Sequence, residues 1–93
     1  MQEKKLERKI LITNKLGLHA RASAKFVETV EAFNSRCQIS KDGMSVSGDS
    51  IMGLLMLAAS KGSSINIKLW GEDADLLASA IKTLIENNFG EDS

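Results

Sequence analysis

His19 is the only histidine in the 93-residue chain, and it stands between Gly17-Leu18 and the first apolar turn of a predicted helix. Backbone N–H groups around Ala20 and Arg21 would have no intrahelical acceptors there, and with the helix dipole they form a site for an anion. A neutral imidazole is a nucleophile, and a phosphate attached to it would land at that site, where Arg21 could offer a forked donor to its oxygens. The plainer possibility is a helix-flanking histidine with a satisfied hydrogen bond.

Ser50 is a second candidate. As the N-cap of a short helix it has a purely structural use, and a hydroxyl there can also be a phosphorylation site. The segment that follows, Ile51 to Ala59, is apolar on nearly every side, more than one core-facing stripe requires. Ile51, Met52 and Leu55, with Leu18, Ala20 and Ala24 near His19, form a candidate partner face, while Leu54, Met56 and Leu57 are assigned to the core. No Cys/His cluster has metal-ligand spacing, and no cofactor motif is present.

The elements that would position these residues follow from periodicity. Ile10 and Ile12 alternate with Lys9, Leu11 and Thr13, a first strand, and Asn14-Lys15-Leu16-Gly17 supplies turn chemistry. From Ala20 to Phe33, the residues Ala22, Phe26, Val30 and Phe33 share one side of a helix, with Lys25, Glu28 and Glu31 elsewhere around it. Strands two and three alternate at Cys37 and Ile39 and at Met44 and Val46, on either side of the hairpin signal Asp42-Gly43. Asp49 or Ser50 caps a helix running to Ala59, which Lys61-Gly62 ends. Ile65 to Leu69 is a fourth strand, and a last helix runs from about Asp73 to near Gly90, with Leu77, Ile81, Leu84 and Ile85 on one stripe.

Strands apolar on one face predict an α+β open-faced sandwich: a four-stranded antiparallel sheet with three helices on one side, in the order βαββαβα. Trp70 would lie toward the open face. The length predicts a single domain over 1–93, with flexible ends at about 1–6 and 90–93. Twelve basic residues balance twelve acidic ones, so the positive field needed for nucleic acid or an anionic membrane is missing. The charged N-terminus leads only into a short apolar stretch, and the longest apolar region is far below the ~20 residues of a membrane span. With a lone cysteine, Cys37, read as a buried strand residue, these features predict a cytoplasmic protein.

Gly17-Leu18-His19-Ala20-Arg21-Ala22-Ser23-Ala24 resembles the active-site motif of HPr proteins, and Asp49-Ser50-Ile51-Met52-Gly53-Leu54-Leu55 resembles that family's regulatory-serine motif. The resemblance extends over almost the whole chain. It implies a phosphocarrier of the phosphoenolpyruvate-dependent phosphotransferase system, without a cofactor and not itself an enzyme. His19 would carry phosphate on Nδ1 with Arg21 assisting, and the Ala20 and Arg21 amides would bind it. The implied partners are enzyme I as donor and an enzyme IIA-type protein as acceptor, with a dedicated ATP-dependent kinase/phosphorylase acting on Ser50 in many members. A monomer suits such a shuttle. One departure is Ala22, where the family usually has proline after the arginine; a softer helix start is expected, with function kept.

Within the family, Ile12 to Gly17 and the acidic ending Phe89-Gly90-Glu91-Asp92-Ser93 look closer to the nitrogen-related regulatory branch than to sugar-uptake carriers. From other classes, a regulatory adaptor controlled only at Ser50 would need no nucleophile, and a small-molecule-binding α+β module would need a pocket that no motif announces.

Overall fold

The computed structural model describes residues 5–92. Strand β1 (Lys5–Leu11), helix α1 (Ala20–Glu31), strands β2 (Arg36–Lys41) and β3 (Met44–Ser47), helix α2 (Ile51–Met56), strand β4 (Ser64–Trp70) and helix α3 (Ala74–Glu86) follow in sequence, and a 3₁₀ turn, Asn88–Gly90, closes the series. The strands pair antiparallel in the order β1-β4-β2-β3. This is the α+β arrangement that the alternation of apolar residues predicts.

Alternation sorts the sheet into two faces. Cys37 and Ile39 of β2 and Ile65, Ile67 and Leu69 of β4 are buried against the helices, with Ala22, Phe26 and Val30 of α1, Leu54 of α2 and Leu77, Ile81 and Ile85 of α3. Each large side chain fully removed from water there contributes roughly 2 kcal/mol before conformational entropy is subtracted. Gln38, Asn66, Lys68 and Trp70 alternate onto the other face, and the Trp70 ring lies 6.0 Å from the cationic ends of both Lys5 and Arg36. Burial pushes the Cys37 thiol up to about 12, with Asp49 adding to the effect, so it packs as an apolar residue.

The boundaries differ from the sequence reading where long-range pairing decides them. β1 begins at Lys5 because all seven of its residues pair with β4, from Lys5 opposite Trp70 to Leu11 opposite Ser64. Lys5 and Leu6 are therefore strand residues, a correction to the flexible start expected over 1–6; residues 1–4 and Ser93 lie outside the described residues. α1 ends at Glu31, its last turn tightening through bonds from Ala32 N–H to Thr29 O and Phe33 N–H to Val30 O. α2 stops at Met56, short of the expected Ala59, because the chain turns through Ala58 at φ +51° and delivers the Ala59 carbonyl to Leu18. α3 ends at Glu86 rather than near Gly90, and Asn88, Phe89 and Gly90 all take positive φ, which turns Phe89 into the core.

Asp73 ties the far end of the helical layer together. Its carboxylate accepts the Asn34 N–H (2.9 Å) and the Ser35 hydroxyl, and the Asn34 bond, followed by Ser35, holds its pKa below the ordinary aspartate value. Among the described residues no helix is long and apolar enough to cross a membrane, and no group of three or more His, Cys, Asp and Glu could hold a metal ion.

Candidate functional site

The turn before α1 is built from both sides. Asn14 is fully buried; its carbonyl accepts the Gly17 N–H (3.2 Å) and its Nδ2 donates to the Gly17 carbonyl (2.9 Å). Gly17 sits at φ +64°, and a Cβ there would come within 2.3 Å of the Ala59 carbonyl oxygen, so neither conformation nor space admits a side chain. Leu18 then donates its N–H to that same oxygen at 2.9 Å, and its own carbonyl accepts the Ser23 hydroxyl at 3.2 Å. The Leu18 bond ties the residue ahead of His19 to the α2–β4 connection, and the Asn14 bonds close the turn before it.

His19 follows as the N-cap of α1 with extended backbone, φ −77° and ψ −179°, and its side chain makes no capping bond. The first-turn N–H groups are thus left without a side-chain cap, as the sequence places them. The imidazole, 26% exposed, contacts Glu91 through Nε2. Nδ1 has no hydrogen-bond partner among the described residues. Ala20 and Arg21 are exposed beside it. His19, Ala20, Arg21, Lys15, Leu16, Glu91 and Asp92 line an open cleft of about 610 Å³.

Glu91 arrives there from the opposite end of the chain. Phe89 is buried, its carbonyl accepts Lys25 Nζ at 2.6 Å, and Thr13 Oγ1 donates to Asn88 Oδ1 at 3.0 Å. Glu91 Oε1 accepts the second Nδ2 proton of Asn14 at 3.0 Å, and its other oxygen meets His19. The Asn14 bond, more than the neighbouring His19 and Lys25, holds the Glu91 carboxyl below the ordinary glutamate range, against partial burial that raises it. The expected flexible ending over 90–93 is corrected for Gly90 and Glu91, since a turn and two side-chain bonds place them. Sequence reasoning missed Asn14 and Glu91 as site residues: an asparagine before Gly17 signals a turn, and an acid 72 positions beyond His19 carries no local pattern.

Ser50 is the N-cap of α2, its Oγ accepting the Gly53 N–H at 3.0 Å. Of the candidate partner face, Ala20, Ile51 (40%) and Met52 (69%) are exposed, while Ala24 and Leu55 are half-buried. Leu18 is corrected: it is 4% exposed and belongs to the core, because its backbone is clamped to Ala59. Leu54 and Leu57 are buried as expected, whereas Met56 is 64% exposed because α2 ends on it. Leu16, at 65%, is an exposed apolar residue of the cleft that the sequence reading left in the turn. A groove of about 830 Å³ between β1 and α3, lined among others by Arg8, Ile10, Ala78 and Lys82, has no sequence signature and does not include His19.

The family model described as the HPr component phosphorylation site of the phosphotransferase system matches residues 6–87. The chain is 47% identical over 88 residues to phosphocarrier protein HPr of Xylella fastidiosa, covering 95% of this chain and 99% of that one. To phosphocarrier protein NPr of Shewanella violacea it is 40% identical over 89 residues, covering 96% and 98%. The crystal structure of HPr from Thermoanaerobacter tengcongensis superposes with a TM-score of 0.90 at 40% identity, covering 95% and 99% of the two chains.

Proposed function

The chain belongs to the HPr family of phosphocarrier proteins of the phosphotransferase system, and from that premise we propose that His19 accepts a phosphoryl group from phosphorylated enzyme I and passes it to an enzyme IIA-type protein. The observation that carries this reading is the placement of the one histidine at the uncapped start of α1, with Arg21 exposed beside it in an open cleft. Nδ1, the ring nitrogen that Glu91 leaves unoccupied, is the atom that the family resemblance assigns to the phosphate. Ala22 in place of the family's proline does not prevent this start, since α1 begins at Ala20 and Ala22 is buried in the core.

Each transfer is a near in-line displacement: the lone pair of the accepting nitrogen forms a bond to phosphorus as the bond to the donor breaks, and the donor keeps that electron pair. The carrier's part is to hold the nucleophile and neutralise charge through Arg21 and the helix amides. Serving two partners in turn calls for weak complexes; with association near 10⁷ M⁻¹s⁻¹, a dissociation constant of ~10 μM gives release at ~100 s⁻¹. Ile51, Met52 and Met56 supply exposed apolar surface for such docking. Phosphate on Ser50 would put about two negative charges beside Ile51 and Met52, and a kinase/phosphorylase acting there would slow uptake at His19.

The nitrogen-related acceptor is supported by the turn Ile12 to Gly17, the acidic ending and the likeness to NPr. The higher identity to relatives named HPr favours a sugar-uptake acceptor as the second reading. The test is incubation with phosphoenolpyruvate and enzyme I of the same organism, followed by intact mass. One added phosphoryl group that acid removes and His19→Ala abolishes is the expected result, and supplying each acceptor type then assigns the branch. No transfer with a demonstrably active enzyme I would overturn the carrier reading in favour of an adaptor controlled at Ser50.

A further inference from the structure

We propose that Glu91 is a positioning residue for His19: its carboxylate accepts a hydrogen bond from Nε2–H, so that Nδ1 is held as the lone-pair nitrogen facing the phosphoryl donor. This rests on the reading that His19 carries the phosphoryl group. Glu91 lies beyond residues 6–87, the span of the family match, so the role belongs to the C-terminal segment of this chain.

The carboxylate is fixed, not merely near. Asn14 gives one Nδ2 proton to Glu91 Oε1 at 3.0 Å and the other to the Gly17 carbonyl at 2.9 Å, so the turn that places His19 also places its partner. Burial of Phe89, the Lys25 bond to its carbonyl and the Thr13 bond to Asn88 dock the segment before Glu91 is reached. The chain entropy of ordering it is thereby met by contacts other than the one to His19. Asn14 also favours the ionised form of Glu91, the form that accepts two donors at once.

The chemistry gives that carboxylate two uses. A histidine with Nε2–H bonded to an acceptor exposes an Nδ1 lone pair, and which nitrogen holds the proton is set by that bond. When Nδ1 forms its bond to phosphorus, the donor's bond to phosphorus breaks and its electron pair stays on the donor. The ring becomes an N-phosphoimidazolium that still carries the Nε2 proton, with a unit of positive charge beside Glu91. When the group moves on, the N–P pair returns to Nδ1 and the same proton remains in place. Neither step requires a proton to be lost or gained, and the carboxylate balances the charge that develops on the ring.

Glu91→Ala tests this, because Phe89, Lys25 and Thr13 continue to dock the segment. Nitrogen-15 NMR of His19 in the unphosphorylated protein, with the imidazole neutral, should show a single Nε2–H tautomer in the wild type and averaged shifts of both tautomers in Glu91→Ala. Phosphoryl uptake from enzyme I should fall about tenfold or more, the scale seen when the partner that orients a metal-binding histidine is removed, and added formate should recover part of it. Unchanged His19 shifts in Glu91→Ala would overturn the proposal, as would a loss of uptake that formate fails to restore and that tracks a fall in melting temperature. The tautomer measurement uses no donor, so it decides the role of Glu91 even if His19 proves to take no phosphate.

Discussion

Asn14 donates to Glu91 at 3.0 Å, joining the turn before α1 to the segment after α3 across 77 positions of sequence. Through this bond the two ends of the fold meet at His19. Asn14 is fully buried, and its Oδ1 has no hydrogen-bond partner among the described residues, so the polar contribution of its side chain lies in the two bonds that Nδ2 donates.

Asn14→Ala should therefore destabilise the protein by about 1–3 kcal/mol at pH 7, the cost of stranding buried partners. The pH dependence has a defined sign. Glu91 has a depressed carboxyl pKa in the folded state, so its stabilisation is complete above the ordinary glutamate range, ~4.3, and is lost as pH falls through the folded value. The gap in melting temperature between wild type and Asn14→Ala should narrow below that range without closing, since the Gly17 bond does not titrate. A gap that stays flat from pH 7 to acid would show that Asn14 does not act through Glu91.

Gly17→Ala combines a left-handed backbone with a Cβ placed 2.3 Å from a carbonyl oxygen. A loss of about 2 kcal/mol or more follows, seen as a melting temperature lower by roughly 10 °C. Because the strained turn leads directly into His19, phosphoryl uptake should fall even at temperatures where the variant is fully folded. Gly43, where a Cβ would meet nothing within 4 Å, is the control: its positive φ of 84° makes Gly43→Asn the mild substitution.

Ser50 separates its two roles by variant. Ser50→Ala removes the acceptor for the Gly53 N–H and should cost about 1 kcal/mol, or roughly 5 °C in melting temperature. Ser50→Asp keeps an N-cap acceptor and should melt near the wild type, yet its charge beside Ile51 and Met52 should slow uptake from enzyme I. Wild-type uptake by Ser50→Asp would remove the regulatory part of the proposal.

Met52 and Met56 are 69% and 64% exposed, so neither is needed for the core. Met52→Glu and Met56→Glu should leave stability within about 0.5 kcal/mol of the wild type. If they dock a partner, each should raise the KM for uptake at His19 by about tenfold with little change in kcat. Unchanged KM for both would move the docking surface elsewhere.

Much of this molecule can be read locally. A strand that alternates, a helix whose apolar residues recur every three or four positions and a turn marked Asp42-Gly43 declare themselves within a few residues, because the period of side-chain direction belongs to the backbone conformation itself. His19 ahead of an apolar helical pattern and Ser50 at the start of α2 are likewise local facts, and the motifs around them suffice for the family. β1 was less legible at its start because charged Lys5, Glu7, Arg8 and Lys9 hide Leu6, the inward residue that pairs with Leu69. The end of α2 was illegible because the demand for an Ala59 carbonyl comes from Leu18, forty-one positions earlier.

The sequence by itself determined the elements, the sheet with one wet face and the presence of a lone histidine at a helix start, since each depends on neighbours within one turn or one strand. Tertiary structure alone decided that Leu18 is core, that Met56 is surface and that Asn14 and Glu91 meet at the imidazole. Those outcomes depend on which distant surfaces come together, and a carboxylate acquires a function here only when packing of Phe89 and the bond from Lys25 bring it to within reach of His19.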